Sequence, residues 1–388
     1  MHLPLTCPGK LNRLNCNNLE YRIRLKTSKH KQFERYLARV IIRRRVDIIQ
    51  VNIKKIAEMA GVSVSTVSKI MNNYNDVSEK TKQRVLEIIE QTGYSPSNSA
   101  KTLATKRSNL IGVIFAGELN VEITHPFFVE VLNSFKKQMG VLGYDLIFFS
   151  NEKFVSGGDY YSRCVHFHVD GCVIISGEKM ETAISDLDMS SIPCIGVDLE
   201  LKGKRSGYVM SDNYQIASKV VEHLYLLGHR ELGFIGSKGD SGISSQREAG
   251  YIKAIESFGL THNPDWFIHG DDFFEPSGYT AMQRLIEGGS LPKAVFAASD
   301  LLALGAIRAL KEQGLRIPED VAVIGCDDIE ACKYTSPTLT TIRQNKERLG
   351  VLAAHMLFDL INNQSEGGSF VVEPALIVRE SCGSSLRG

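Results

Sequence analysis

The sequence has no apolar run near the ~18 residues needed to cross a bilayer, so no membrane association is expected. Its first thirteen residues, MHLPLTCPGKLNR, offer neither a continuous apolar segment nor a small-residue cleavage site, which argues against export. The eight cysteines (Cys7, Cys16, Cys164, Cys172, Cys194, Cys326, Cys332 and Cys382) never form a CxxC pair. Closely paired zinc ligands are therefore missing, and no metal site is expected. Cys172, Cys194 and Cys326 lie in apolar strand-like runs and read as reduced core residues in a cytoplasmic setting. There is no GxSxG, HExxH, Walker A or dinucleotide fingerprint, so no catalytic residue, no cofactor and no enzyme activity are expected.

Net charge is also nearly absent: 45 Lys and Arg stand against 44 Asp and Glu, for a total of +1. The balance hides a split. Residues 1–107 carry 21 basic and 8 acidic side chains, a net of +13, and the remaining residues carry −12. A basic front and an acidic body are two units with different partners. Most of the excess, +9, belongs to residues 1–50, with its densest run at Arg43-Arg44-Arg45. Two readings of this leader are open. It is a disordered basic arm that attracts phosphate non-specifically, or it lies upstream of a native start at Val46 or Val51.

Residues 51–95 carry three short amphipathic helices. Ile53, Ile56, Ala57 and Ala60 recur at helical spacing, and Gly61 suits the positive φ that ends a helix. Ser63 is placed to cap a second helix over 64–71, with Val67 and Met71 directed back to the first. Ser65, Thr66, Ser68 and Lys69 form its outward face, small enough to approach base edges closely. A third helix starts near Ser78, turns Val85, Ile88 and Ile89 inward, and stops at Gly93. Lys54, Lys55, Lys80, Lys82 and Arg84 are candidates for phosphate contacts. Pattern alone leaves a small helical bundle without nucleic acid as the alternative; the tight Gly61 turn favours a helix-turn-helix.

The stretch VNIKKIAEMAGVSVSTVSKIMNN, followed by VSEKTKQRVLEIIEQTGYSP, resembles the N-terminal signature of the LacI/GalR family of bacterial repressors. The resemblance implies a bacterial, nucleoid-associated DNA-binding protein. It places Val64, Ser65 and Lys69 at base-reading positions, Lys69 standing where many members carry Arg. Thr66, Ser68, Asn72 and Lys54 complete the expected headpiece contacts. Residues 96–109 then correspond to the family's hinge helix, which pairs with its dimer mate in the minor groove. Leu103 falls on the wedge that parts two base steps, and Ala100 on the close-approach position beside it. The family's Asn after Pro96 is Ser97 here. An isolated helix this short is marginal in water and orders only against a partner.

Residues 110–388 alternate apolar runs with helical stretches. Strands are expected at 110–115, 144–149, 171–175, 193–197, 207–210, 231–235, 294–298 and 321–325. Helices are expected at 127–142, 213–227, 245–258, 277–286, 301–313 and 346–360. Runs this apolar imply strands covered on both faces, hence parallel sheets. The expected fold is an all-α helix-turn-helix headpiece joined to a periplasmic-binding-protein-like α/β body of two doubly wound parallel-sheet lobes. Lobe 1 takes about 110–207 and 339–369, and lobe 2 about 208–338 and 370–388, with crossovers near Gly207, Leu339 and Phe370.

Ligands of open parallel sheets meet the loops at strand carboxyl ends. Asp198, Asp300 and Asp327 stand there, Asp300 also being well placed to cap the next helix. Arg247 lies near a helix start, where a cation opposes the macrodipole. The preceding turn, residues 236–242, is spaced GxxGxxG and is not a phosphate loop. Phe127, Phe128, Phe273 and Phe274 are loop-side aromatics suited to stacking on sugar rings. By the family resemblance Phe127, Phe128, Asp198, Arg247, Phe273, Ser299 and Asp327 fall on effector-cleft positions. Ser299 replaces the Asn of some sugar-responsive members, and His125 stands in the place of another Asn.

The expected function is a homodimeric repressor of a double-stranded DNA operator, controlled by a small-molecule effector, a sugar or sugar derivative. A corepressor-dependent regulator, whose effector or partner protein strengthens DNA binding, is the alternative. A transport-type sugar-binding protein would need a signal peptide and no helix-turn-helix. An α/β enzyme would need a catalytic motif the sequence does not show.

Overall fold

The computed structural model describes residues 52–71, 74, 76–94, 107–116, 124–149, 159–176, 182–238 and 242–384. The leader 1–50, most of the hinge, and with them Asn72, Ala100 and Leu103, lie outside these residues. Two compact units are present, one within Met1–Ser97 and one within Asn98–Gly388.

The first unit is three helices: α1 (Ile53–Ala60), α2 (Val64–Met71) and α3 (Glu79–Thr92). Each start is closed by a side chain. Asn52 Oδ1 accepts from the Lys55 amide, Ser63 Oγ from the Thr66 amide and Ser78 Oγ from the Thr81 amide. Caps of this kind contribute about 1 kcal/mol each. Gly61 takes φ 61° after α1, which bends the chain sharply into α2. The core is Ile56, Ala57, Ala60, Val67, Ile70 and Val85. Ile70, rather than the expected Met71, is the second buried anchor of α2; Met71, Ile88 and Ile89 are half-buried around it.

The second unit holds two six-stranded sheets. In chain order its strands and helices are β1 (Leu110–Phe115), α4 (Pro126–Val141), β2 (Asp145–Phe149), α5 (Tyr160–His166), β3 (Gly171–Ile175), α6 (Thr182–Asp188), β4 (Cys194–Val197) and β5 (Ser206–Ser211). There follow α7 (Asn213–Leu226), β6 (Leu232–Ser237), α8 (Ile243–Ser257), β7 (Phe267–Gly270), α9 (Glu275–Glu287), β8 (Ala294–Ala297), α10 (Asp300–Glu312), β9 (Ala322–Asp327) and β10 (Thr340–Arg343). The chain ends with α11 (Lys346–Ile361), β11 (Gly368–Val372) and β12 (Ala375–Ile377). The first sheet runs β2-β1-β3-β4-β5-β11 and is parallel throughout. The second runs β7-β6-β8-β9-β10-β12, parallel except for the antiparallel edge strand β12. Both are doubly wound about their first strand, so each has a crevice at the carboxyl ends where strand order reverses.

The chain passes between sheets after Ser211, Arg343 and Val372, a few residues beyond the crossovers expected at Gly207, Leu339 and Phe370. The reason is that Gly207 and Phe370 pair with partners inside the first sheet, Gly207 opposite Gly368 and Phe370 opposite Val209. Leu339 is itself buried in the second lobe's core just before β10. Cys172, Cys194 and Cys326 are buried, as expected of core cysteines.

Candidate functional site

Two surfaces collect the residues singled out by sequence. On the first unit, α2 turns Val67 and Ile70 inward and leaves Val64, Ser65 and Lys69 exposed. Thr66 and Ser68 are half-buried, and Thr66 is tied to the cap, its hydroxyl 2.8 Å from Ser63 Oγ. Ser65 Oγ lies 2.7 Å from the same oxygen. Lys69 pairs with Asp76, which stands between α2 and α3. Lys54 is exposed on α1, and Lys55 pairs with Glu58. The face is neutral and small apart from one cation.

On the second unit, a cavity of about 430 Å³, mouth included, opens between the two sheets. It is lined by His125, Phe127, Phe128, Asp198, Ile243, Arg247, Phe273, Phe274, Ser299, Asp327 and Gln344. All seven residues expected at an effector cleft are therefore brought together. The fold explains why, since each follows the carboxyl end of a strand. Phe127 and Phe128 lie at the start of the helix after β1, Asp198 directly follows β4, and Arg247 lies in the helix after β6. Phe273 follows β7, Ser299 follows β8 and Asp327 closes β9.

Phe127 and Phe128 sit in the first turn of α4, as the helix expected from 127 implies, rather than on the loop side; they are only 2 % and 6 % exposed and belong to the first lobe's core as well as the cavity wall. Ser299, not Asp300, caps α10. Its Oγ accepts from the Leu302 amide (3.1 Å) and donates to the Phe273 carbonyl (2.9 Å). The hydroxyl proton of Ser299 is thus committed inside the protein. Asp300 is instead a buried tie, accepting from the Ile329 amide (2.9 Å) and the Thr341 hydroxyl (2.6 Å).

Four cavity residues lie outside the seven expected there: His125, noted only as a replacement, Phe274, noted only as a loop-side aromatic, Ile243 and Gln344. Gln344 follows β10, a strand too short to show a period, so no sequence signal placed it at a strand end. Its Nε2 donates to Asp327 Oδ1 (2.7 Å). The His125 ring meets Phe128 of its own lobe (centroids 5.3 Å apart) and Phe274 of the other (5.5 Å).

Arg247 is buried, yet fixed by neutral groups. Its Nε donates to Asn213 Oδ1 (2.9 Å) and its Nη1 to the Ala298 carbonyl. Around it the carboxylates are displaced upward. Burial pushes Asp198 up to about 7, Arg247 opposing and Asp327 reinforcing the shift. Burial likewise raises Asp327, against the pull of Arg247 and His125. Burial lowers the His125 imidazole, with Asp327 opposing, so the ring is neutral near pH 7. Asp198 Oδ1, His125 Nδ1 and Gln344 Oε1 are buried without any hydrogen-bond partner. Asp198 and Asp327 also hold positive φ, 53° and 129°, which costs non-glycine residues and is stored where surrounding structure enforces it.

Comparison with known proteins gives a consistent picture. Residues 52–97 match the bacterial regulatory proteins of the lacI family, and residues 221–382 match a periplasmic binding protein-like domain. The HTH-type transcriptional repressor PurR of Pasteurella multocida (strain Pm70) is 34% identical over 338 residues, covering 86% of this chain and 99% of that protein. The crystal structure of the lac repressor dimer bound to operator and the anti-inducer ONPF superposes with a TM-score of 0.73 at 25% identity, covering 86% of this chain and 99% of that one. The complex of the transcriptional regulator CelR with cellobiose gives a TM-score of 0.66 at 28% identity, covering 85% and 99%.

Proposed function

Because this chain belongs to the lacI family of bacterial regulatory proteins, and is a DNA-binding transcriptional repressor, we propose that a small, neutral polyhydroxyl ligand bound between its lobes controls its hold on DNA. A sugar or simple sugar derivative is the ligand class. The observation that carries this reading is the trio of unpartnered buried atoms, Asp198 Oδ1, His125 Nδ1 and Gln344 Oε1, at one aromatic-walled cavity. A buried polar atom without a partner costs about 1–3 kcal/mol. Gln344 Oε1 only accepts, Asp198 Oδ1 accepts when its carboxyl is ionised, and the neutral imidazole accepts at one of its two nitrogens. Such a set fits a molecule rich in O–H donors. Two carboxylates against one guanidinium disfavour an anion, so a free sugar fits better than a sugar phosphate. The cellobiose complex of a similar regulator supports the same class.

At the other unit, α2 enters the major groove, with Val64, Ser65, Thr66, Ser68 and Lys69 toward base edges and Lys54 on the backbone. Asn72, Ala100 and Leu103 complete the contacts that the family pattern implies. The chain acts as a homodimer on a two-fold-symmetric operator. The ligand alters DNA affinity by binding two lobe arrangements unequally, since equal affinity would shift nothing. Groups that bridge the lobes make the angle responsive. Lys346 Nζ donates to the Asp327 and Asp328 carbonyls (3.2 and 2.8 Å) and pairs with Glu130 (3.2 Å).

The test begins with duplexes selected by the full chain from a randomised library. Binding to the selected duplex is titrated with neutral mono- and disaccharides and with their phosphates, and the same titration gives the sign of the response. Asp327→Asn and Arg247→Ala should each reduce the response to a neutral sugar at least about tenfold, as expected on losing a buried charged partner. DNA binding without sugar should stay within about twofold. A response to phosphorylated sugars alone, or one untouched in both variants, would sink this reading.

A further inference from the structure

We propose that Asp76 is a specificity determinant of DNA recognition: its carboxylate holds Lys69 toward a base edge and away from the phosphate backbone. The inference rests on reading α2 as the major-groove helix. Lys69 is the sole cation of α2, whose sequence is VSTVSKIM. Its ammonium is in direct contact with Asp76 Oδ2, and the two side chains are 50% and 53% exposed. Among the described residues of this unit the other ion pairs, Glu58 with Lys55 and Glu79 with Lys82, join partners three residues apart within one helix. Asp76 instead reaches back across the connection between α2 and α3.

An exposed ion pair contributes between nothing and about 1 kcal/mol, so stability does not account for this one. Its effect is on what Lys69 can bind. A free lysine is a flexible point charge equally suited to any phosphate, and it lacks the planar fork by which arginine selects guanine. Held by Asp76, the ammonium still has two of its three protons to donate. The fixed carboxylate supplies the missing direction and repels the backbone. It also accepts hydrogen bonds. A donor beside an acceptor complements the major-groove edge of a G·C pair, where guanine O6 and N7 accept and the cytosine N4 amino group donates. The hydrogen bond from Lys69 lowers the Asp76 carboxyl below its usual range, which keeps it ionised at neutral pH.

Asp76→Asn keeps the shape and removes the charge. With duplexes selected from a randomised library by the full chain, this variant should bind random DNA more tightly. Its salt dependence should steepen by about one phosphate contact, a slope change near 0.9. Its discrimination at one G·C position should fall about tenfold, the size expected for one base contact. In the Lys69→Ala background the same change should leave that discrimination unaltered, since there is no longer a cation to direct. If Asp76→Asn leaves discrimination and slope as they were while Lys69→Ala abolishes recognition, the proposal fails and α2 still reads the groove. If Lys69→Ala also leaves recognition intact, both fall. Helix content of each variant, measured by circular dichroism, separates these outcomes from unfolding.

Discussion

At the residue scale the cavity carboxyls Asp198 and Asp327, together with the buried tie Asp300, set the pH behaviour. Asp198 and Asp300 are each raised to about 7, and Asp327 is raised too, burial being the first cause in all three. The ordinary value is 3.8, so between about pH 4 and 7 the folded protein holds protons that the unfolded chain has released. Stability from these groups is therefore greatest at the acid end of that window and declines as pH rises through it. His125, lowered by burial, opposes this trend near its ordinary value of 6.5. Ligand affinity should run the other way. Hydroxyl donors favour the ionised Asp198, so affinity should rise with pH through about 7 and binding should release protons. Calorimetry in buffers of different ionisation enthalpy measures that release; Asp198→Asn should reduce it, and an unchanged proton count would remove Asp198 from the ligand contacts. The identities of these residues were legible because each follows an apolar run at a strand end. Their bonding was not. Nothing in the order Ser299-Asp300 tells which of the two caps the helix, because both are good caps and only the packing of Thr341 and Ile329 draws Asp300 inward.

At the element scale the second lobe depends on two helices meeting without side chains between them. A methyl group on Gly278 would come within 2.1 Å of the Leu302 carbonyl, and one on Gly305 within 2.1 Å of the Glu275 carbonyl. The helices α9 and α10 thus touch backbone to backbone. Gly305→Ala should destabilise the body by about 1–3 kcal/mol, the usual cost of overpacking. Thermal or urea unfolding reads this directly, and an unaltered midpoint would show that the helices part freely. Long helices such as α4, α7, α8, α10 and α11 were visible from periodicity. The seven-residue helices α5 and α6 span only two turns and carry too little pattern. The strands β7, β10, β11 and β12 also escaped notice. They have three to five residues, and β11 exposes four of its five at the sheet edge, so neither length nor apolarity marks it.

At the scale of the whole molecule the near-zero net charge is the sum of unlike parts. Residues 51–107 carry only +4 and the leader +9. Removing residues 1–50 should flatten the salt dependence of non-specific DNA binding and weaken it, while leaving base preference unchanged; a changed preference would place sequence-reading groups in the leader. Titrations of full and shortened chains at two salt concentrations make the comparison. Contacts between lobes are made by residues far apart in sequence, such as the 3.3 Å bond from Gln246 Nε2 to Glu200 Oε1. Such pairs are what a closing ligand would tighten, and no local pattern announces them.

The sequence by itself determined the headpiece helices and the doubly wound body, and its family resemblance named the seven residues around one cavity. Helix caps, the positive φ at Gly61, apolar periodicity and strand-end position are all local properties of the chain. Only the tertiary structure decided which polar atoms in that cavity remain unmatched, that Gln344 joins it, that Ser299 has its proton already engaged, and that Lys69 is held by Asp76. Each of those depends on distances between segments separated along the chain, and hydrogen-bond satisfaction is settled by what packing brings within about 3 Å.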